Sequence, residues 1–175
     1  MGVADLQDIE RRLRRTEAFE AIRTTIFSYA VAGDRGNDPA VVRRCFTADA
    51  TYEAKGMGRF EGLEDIVRGL SLIGRDVVVW SFHAPGGPLI TLADDQNSAD
   101  AFWWVWVPVA LKDTSGNIAP HWGAGHYNAT LVRGECDEWK FERVLFETRL
   151  RTPFAGPWTT LEGPFEWPRC EPFRD

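Results

Sequence analysis

The apolar residues of this chain change their period partway along it, and that change restricts the fold more than any other feature. Leu6, Ile9, Leu13, Phe19, Ile22, Ile26 and Tyr29 recur at close to helical spacing, which predicts a long helix over 6–32. Asp38 followed by Pro39 is a helix-start signal and predicts a short helix over 39–46. A brief strand over 47–54 and a turn at Gly56-Met57-Gly58 follow, then a third helix over 61–72 with Leu63, Ile66, Val67 and Leu70 on one side. After Gly74 the pattern becomes strand-like: 77–83, 89–93, 98–111, 119–132 and 138–151, with a turn at 85–88 and a hairpin tip at 94–97. Helices first and antiparallel strands later predict an α+β fold, its helices packed on one face of a curved sheet.

The 175 residues suit a single domain, 1–175, with one core. A net charge of −6 argues against non-specific nucleic-acid binding, which needs a basic face. Arg11, Arg12, Arg14 and Arg15 read as a solvated helix face. Cys45, Cys136 and Cys170 form no CxxC pair, so neither a structural zinc site nor a disulfide framework is expected. Met1 to Arg15 is charged and carries no apolar leader core, and no apolar run approaches a membrane span. The expectation is a cytoplasmic protein with no membrane partner. Residues 152–175 interleave Pro153, Pro157, Pro164, Pro168 and Pro172 with Phe and Trp; this segment is expected to lie along the body, over a pocket mouth or across to a second subunit.

Side chains alternate across a strand. Val77, Val79, Ser81 and His83 then share a face, as do Phe102, Trp104 and Trp106, while Ala101, Trp103, Val105 and Val107 take the opposite one. Trp122, Ala124, His126, Asn128 and Thr130 share another, and so do Trp139, Phe141, Arg143, Leu145, Glu147 and Arg149. Polar groups among large aromatics, 13% of the chain, favour a cavity over a solid core. A histidine near a carboxylate can move a proton either way at neutral pH, so Asp34, His83 and His126 are candidates for acid–base chemistry. The plainer readings are structural: satisfied histidines for His83 and His126, a cap or turn residue for Asp34, and a surface or ion-pair residue for Arg149. His121 and His126 fall on opposite faces of one strand, so joint metal ligation is not expected.

The order of these features resembles the SnoaL-like branch of the nuclear transport factor two-like superfamily, near scytalone dehydratase, over about residues 8–151. The resemblance rests on Tyr29 to Gly33-Asp34 at the first helix end, on Cys45-Phe46-Thr47-Ala48-Asp49-Ala50-Thr51-Tyr52, on Phe60-Glu61-Gly62, on His83, and on Trp139-Lys140-Phe141. It implies a cone: a strongly curved antiparallel sheet wrapped against three N-terminal helices, with a pocket between. It also implies an Asp34–His83 dyad, with Tyr52 as a pocket tyrosine. His126, thirteen residues before Trp139, and Arg149, ten after it, match a second His and an Arg of the dehydratase.

These matches imply a cofactor-independent lyase that needs no metal. His83, oriented by Asp34, would remove a proton, and His126, Tyr52 or Arg149 would assist the leaving group: water, halide or a one-carbon fragment such as formaldehyde. Tyr29, Phe82, Trp104, Trp106, Trp122 and Asn128 are the expected binding residues for a small apolar, aromatic substrate. Two rival readings remain: a non-catalytic binding module or dioxygenase small-subunit-like protein, and an isomerase or cyclase of the polyketide or steroid type. Exposed sheet faces in this superfamily pair, so a homodimer or homotrimer is expected, with Trp103 as a candidate interface residue.

Overall fold

The structure, a computed structural model, describes residues 3–154. The Pro/aromatic segment beyond Phe154, and Cys170 with it, lie outside the described residues. The elements are α1 (Val3–Asp34), α2 (Pro39–Cys45), β1 (Phe46–Ala54), β2 (Gly58–Glu61), α3 (Leu63–Asp76), β3 (Val78–Ser81), β4 (Ala84–Pro85), β5 (Leu89–Leu92), β6 (Ser98–Lys112), β7 (Ile118–Arg133) and β8 (Trp139–Pro153). Three helices pack against a strongly curled sheet ordered β2-β1-β8-β7-β6-β3, with β4 and β5 also paired to β6. One pairing departs from the antiparallel expectation: β1 runs parallel to β8. Residues 55–138 separate these two strands, so no hairpin dictates their direction. The sheet is therefore mixed.

Local chemistry explains the helix boundaries. Pro39 opens α2, and the Asp38 carboxylate accepts the Ala40 N–H at 2.9 Å. The apolar stripe of α1 is buried only from Ala18 onward, through Ile22, Ile26 and Tyr29; Leu6, Ile9 and Leu13 are exposed. The Thr25 hydroxyl donates to the Trp139 carbonyl at 2.7 Å and ties α1 to the start of β8. Around this contact the core is solid, with Ile22, Ile26, Phe46, Leu131, Phe141 and Val144 at most 1% exposed.

Buried residues on β6 are Ala99, Ala101, Trp103 and Val105, and on β7 Tyr127, Ala129 and Leu131, which defines the concave face. Trp103 is thus a core residue, stacked on Tyr127 at 4.8 Å between ring centroids, and not an interface residue. Three one-residue bulges break the expected alternation. Val79 is the extra residue on β3, Glu142 and Arg149 those on β8. Each reverses which side chains face inward beyond it. On β3 the concave residues become Val78 and Ser81, with Val77 and Val79 outside. On β8 they run Trp139, Phe141, then Val144 and Phe146.

Cys45 is buried at the end of α2, and burial pushes its thiol up to about 11. Cys136 is exposed. Peptide mapping after iodoacetamide treatment at pH 8 is expected to show Cys136 alkylated in the native protein and Cys45 only after denaturation, because the thiolate is the nucleophile. No helix among the described residues is long and apolar enough to cross a membrane.

Candidate functional site

A cavity of about 160 Å³ lies between the concave face and the helices, toward the Lys112–Ile118 end of the β6–β7 pair. Its walls are largely aliphatic: Leu70 and Ile73 of α3, Val78 of β3, and Val107, Val109 and Leu111 of β6. On β7 the inward positions here are Gly123 and Gly125. A Cβ on Gly123 would stand 2.9 Å from the Val107 carbonyl oxygen, so glycine permits the close strand approach and leaves the space empty.

The Asp34 and His83 side chains meet. Asp34 is the last residue of α1, and His83 follows β3 by two residues. His83 Nδ1 lies 2.7 Å from Asp34 Oδ1, and the same oxygen accepts the His83 backbone N–H at 2.8 Å. The Ser81 hydroxyl lies 3.4 Å from that oxygen and 3.3 Å from the Gly33 carbonyl oxygen. An ionised Asp34 therefore takes the Nδ1 proton of a neutral His83 as a hydrogen bond. Nε2 is left with its lone pair on a ring that lines the cavity. The dyad is only partly shielded, with side-chain exposures of 22% for His83 and 26% for Asp34. The ring packs against Gly33: a Cβ there would come within 2.8 Å of His83 Cε1.

Tyr29, Tyr52 and Tyr127 are buried side by side and line the same cavity. Their rings pack edge-on, Tyr29 to Tyr52 at 6.3 Å and Tyr29 to Tyr127 at 6.1 Å, which makes the three phenols close neighbours. Burial raises all three phenols above their ordinary range; for Tyr29 and Tyr127 the neighbouring tyrosines add to the rise. They are neutral hydrogen-bond donors across the physiological range. These are the only tyrosines in the chain. An alkaline titration followed at 295 nm is therefore expected to show no phenolate near pH 10 until the protein unfolds in a single step. The sign follows from linkage. Because the folded-state values are raised, the stabilisation is complete below about pH 10 and is lost as pH rises past it. Gradual ionisation of even one tyrosine before unfolding would contradict the buried cluster.

Asp34, His83, Tyr52 and Tyr29 are thus brought together. The other expected residues are not. Trp104 and Trp106 lie on the convex face, 55% and 41% exposed. His126, Asn128 and Trp122 share that face, opposite Trp104, Phe102 and Pro108 in register. The expectation took the aromatic face of β6 and β7 as the inner one. The inner face is the one bearing the glycines and the small or apolar residues. His126 Nε2 sits 3.0 Å from Glu147 Oε2, with Phe102 and Trp104 against its ring. Glu147 also pairs with Lys55, whose hydrogen bond, more than that of His126, holds the Glu147 carboxyl below its usual range. His126 therefore lies on the outer face, away from the cavity. Arg149 is the bulged residue of β8, exposed and outside the cavity. Phe82, also exposed, donates its N–H to the Pro108 carbonyl and does not line the cavity.

Sequence reasoning missed Gly33, Asn37, Ser81, Tyr127 and Arg151. Asn37 adopts a left-handed backbone, φ 59°, and donates its side-chain amide to the Leu70 carbonyl oxygen at 3.0 Å, which fixes the loop after Asp34 against α3. The signal for Tyr127 was present: Gly123, Gly125, Tyr127, Ala129 and Leu131 form the less polar face of β7. No signal in the sequence announced the bulges. Among the described residues no three His, Cys, Asp or Glu side chains converge as a metal site.

Several solved structures share this architecture. A type 2 hexachlorocyclohexane dehydrochlorinase (LinA) superposes with a TM-score of 0.77 at 18% identity, covering 87% of this chain and 99% of that one. A provisionally assigned scytalone dehydratase from Novosphingobium aromaticivorans gives a TM-score of 0.65 at 20% identity, covering 94% of this chain and 100% of its own. A nuclear transport factor 2-like protein from Salmonella enterica gives 0.68 at 14% identity, with 83% and 99% covered. At these identities the likeness is one of fold. Proteins with curated functions give no significant match. The SnoaL-like domain model matches residues 14–144, three quarters of the sequence, from α1 into the first part of β8 and including the Asp34–His83 pair; the chain belongs to the SnoaL-like domain family.

Proposed function

We propose that the protein is a cofactor-independent lyase that eliminates a small leaving group from an apolar substrate. The observation that carries this reading is the Asp34–His83 pair, 2.7 Å apart, with the imidazole lining a largely apolar cavity. His83 Nε2 takes a proton from a substrate carbon. The C–H electron pair becomes the new double bond, and the leaving group departs with its own pair: chloride directly, or hydroxide that gains a proton and leaves as water. Asp34 holds the ring in the required tautomer and stabilises the imidazolium that forms. Tyr52, with Tyr29 and Tyr127, donates to oxygen as negative charge develops there, and the surrounding hydrocarbon strengthens that interaction. Release of formaldehyde uses the same base acting on a hydroxymethyl O–H: the O–H pair forms the C=O of formaldehyde, the C–C bond breaks, and its pair forms the new double bond as a leaving group departs from the adjacent carbon with its own pair.

The size of the cavity limits the substrate. An apolar cavity of about 150 Å³ takes up benzene, so about 160 Å³ suits one six-membered ring, aromatic or alicyclic, with substituents at the mouth. A panel of hexachlorocyclohexane, an aryl β-hydroxy ketone and an aryl 1,3-diol tests the reading, followed by chloride release, enone absorbance and formaldehyde. Turnover of at least one, lost in His83→Ala, is expected; equal turnover by the variant would remove His83 from the mechanism.

One observation also favours an isomerase. A single base facing neutral tyrosine donors can return the proton it removes to a neighbouring carbon of the same substrate. In deuterated water an isomerase would retain substrate mass apart from exchanged hydrogen, whereas a lyase yields a smaller product. We also propose a homodimer or homotrimer built on the convex face, where Trp104 and Trp106 are exposed. Light scattering on the native protein and on a Trp104→Glu/Trp106→Glu variant checks this, with dissociation to monomer expected.

A further inference from the structure

We infer that Arg151 makes the cavity selective for substrates bearing a carboxylate on the side remote from the reacting carbon. This rests on the reading of the cavity as a substrate site. Strict alternation from Phe146 would turn Thr148, Leu150 and Thr152 inward and Arg151 outward. The bulge at Arg149 reverses this: Gly125 pairs with Thr148, Ala124 with Leu150, and Gly123 with Arg151. Gly123 is a concave position, so Arg151 joins the concave face and lines the cavity while remaining exposed at its rim. The bulge thus re-aims an arginine toward the site.

Three features give Arg151 a role beyond a solvated strand end. It is the one Lys or Arg among the cavity-lining residues, and no carboxylate side chain lines the cavity with it. Its partner across the β7–β8 pair, Gly123, has no side chain to offer it an acceptor. Among the described residues it makes no ion pair, whereas Arg43, Arg59, Arg68 and Arg75 each pair with an acid. The next concave position on β7 is His121, a second nitrogen base. A guanidinium at the mouth of an aliphatic cavity offers paired donors to a carboxylate, which stays at the wet rim while the ring is buried. One arginine without a second fixed cation matches a monoanion better than a phosphate dianion. In a protein of net charge −6, such a local cation favours the approach of an anionic ligand.

The test uses two ligands of equal shape, 3-phenylpropanoate and 3-phenylpropanamide, titrated calorimetrically into the full chain at low salt. The native protein is expected to bind the carboxylate about tenfold more tightly. Arg151→Met is expected to abolish that preference while leaving the amide's affinity unchanged, which also shows that the cavity remains intact. Arg149→Met, one strand position from the site but outside it, is expected to keep the preference. Val109→Trp, which fills the cavity, should abolish binding of both ligands. Equal binding of the two ligands by the native protein, or a preference that survives in Arg151→Met, would overturn the assignment of Arg151 and leave the cavity reading in place. Failure of both ligands to bind the native protein, or undiminished binding by Val109→Trp, would overturn the two together.

Discussion

Turnover by His83→Ala is expected to fall about 10²- to 10⁴-fold, the usual contribution of a positioned general base. Asp34→Asn should approach the same loss by a different route. An asparagine can present its amide N–H to Nδ1, which favours the tautomer protonated at Nε2, and that tautomer has no lone pair to offer the cavity. Both losses should appear in kcat with KM changing little, because neither side chain is a large part of the binding surface. Both side chains are partly exposed, so the far-ultraviolet dichroism should stay native. Residual activity near the native rate in both variants would mean that the pair is structural.

Gly33→Ala is expected to lower turnover by about two orders of magnitude while leaving stability nearly unchanged. In a helix interior alanine is favoured over glycine by about 1 kcal/mol, so propensity alone argues for the substitution near the end of α1. The obstacle is the imidazole: the new methyl carbon would meet Cε1 at 2.8 Å and Nδ1 at 3.0 Å. A side-chain ring can slide away, and the gain in helix propensity offsets part of the strain. What is lost is the 2.7 Å contact with Asp34, and a displacement of about 1 Å can cost about 10² in rate. Thermal melting and kinetics read together distinguish this from simple destabilisation. A lowered Tm with normal kcat would show that Gly33 serves packing and not the dyad.

How much of this was legible in the sequence depended on whether a pattern was local. The helical spacing of Ile22, Ile26 and Tyr29, the Asp38-Pro39 cap and the alternation of Ala101, Trp103 and Val105 are local, and each corresponds to an element of the fold. The meeting of Asp34 with His83 is not local. It was reached by resemblance, and a hydrogen bond between residues 49 positions apart is what the structure adds. Which face of β6 and β7 is concave was misjudged because large aromatics outweighed the small residues. In a sharply curved sheet the concave side has less room, so Gly123, Gly125 and Ala129 mark it, and Trp104 and Trp106 are left outside. Arg149 was misplaced for a more basic reason. A bulge arises from strand pairing and sheet curvature, and two of them in β8 move the inward arginine to position 151. Tyr52 and Tyr29 were found, but the third member of their cluster, Tyr127, belongs to the face that was read as the outer one.

The central claim is that Asp34 leaves His83 Nε2 free to accept a proton from whatever occupies the cavity. Nitrogen-15 NMR of imidazole-labelled protein tests it without requiring the substrate. In the neutral ring the account predicts that His83 carries its proton on Nδ1, hydrogen-bonded to Asp34, that Nε2 is unprotonated and shifts when an aryl ligand binds, and that Asp34→Asn reverses the tautomer. A neutral His83 protonated on Nε2 in the native protein, or an Nε2 resonance indifferent to ligand, would contradict it.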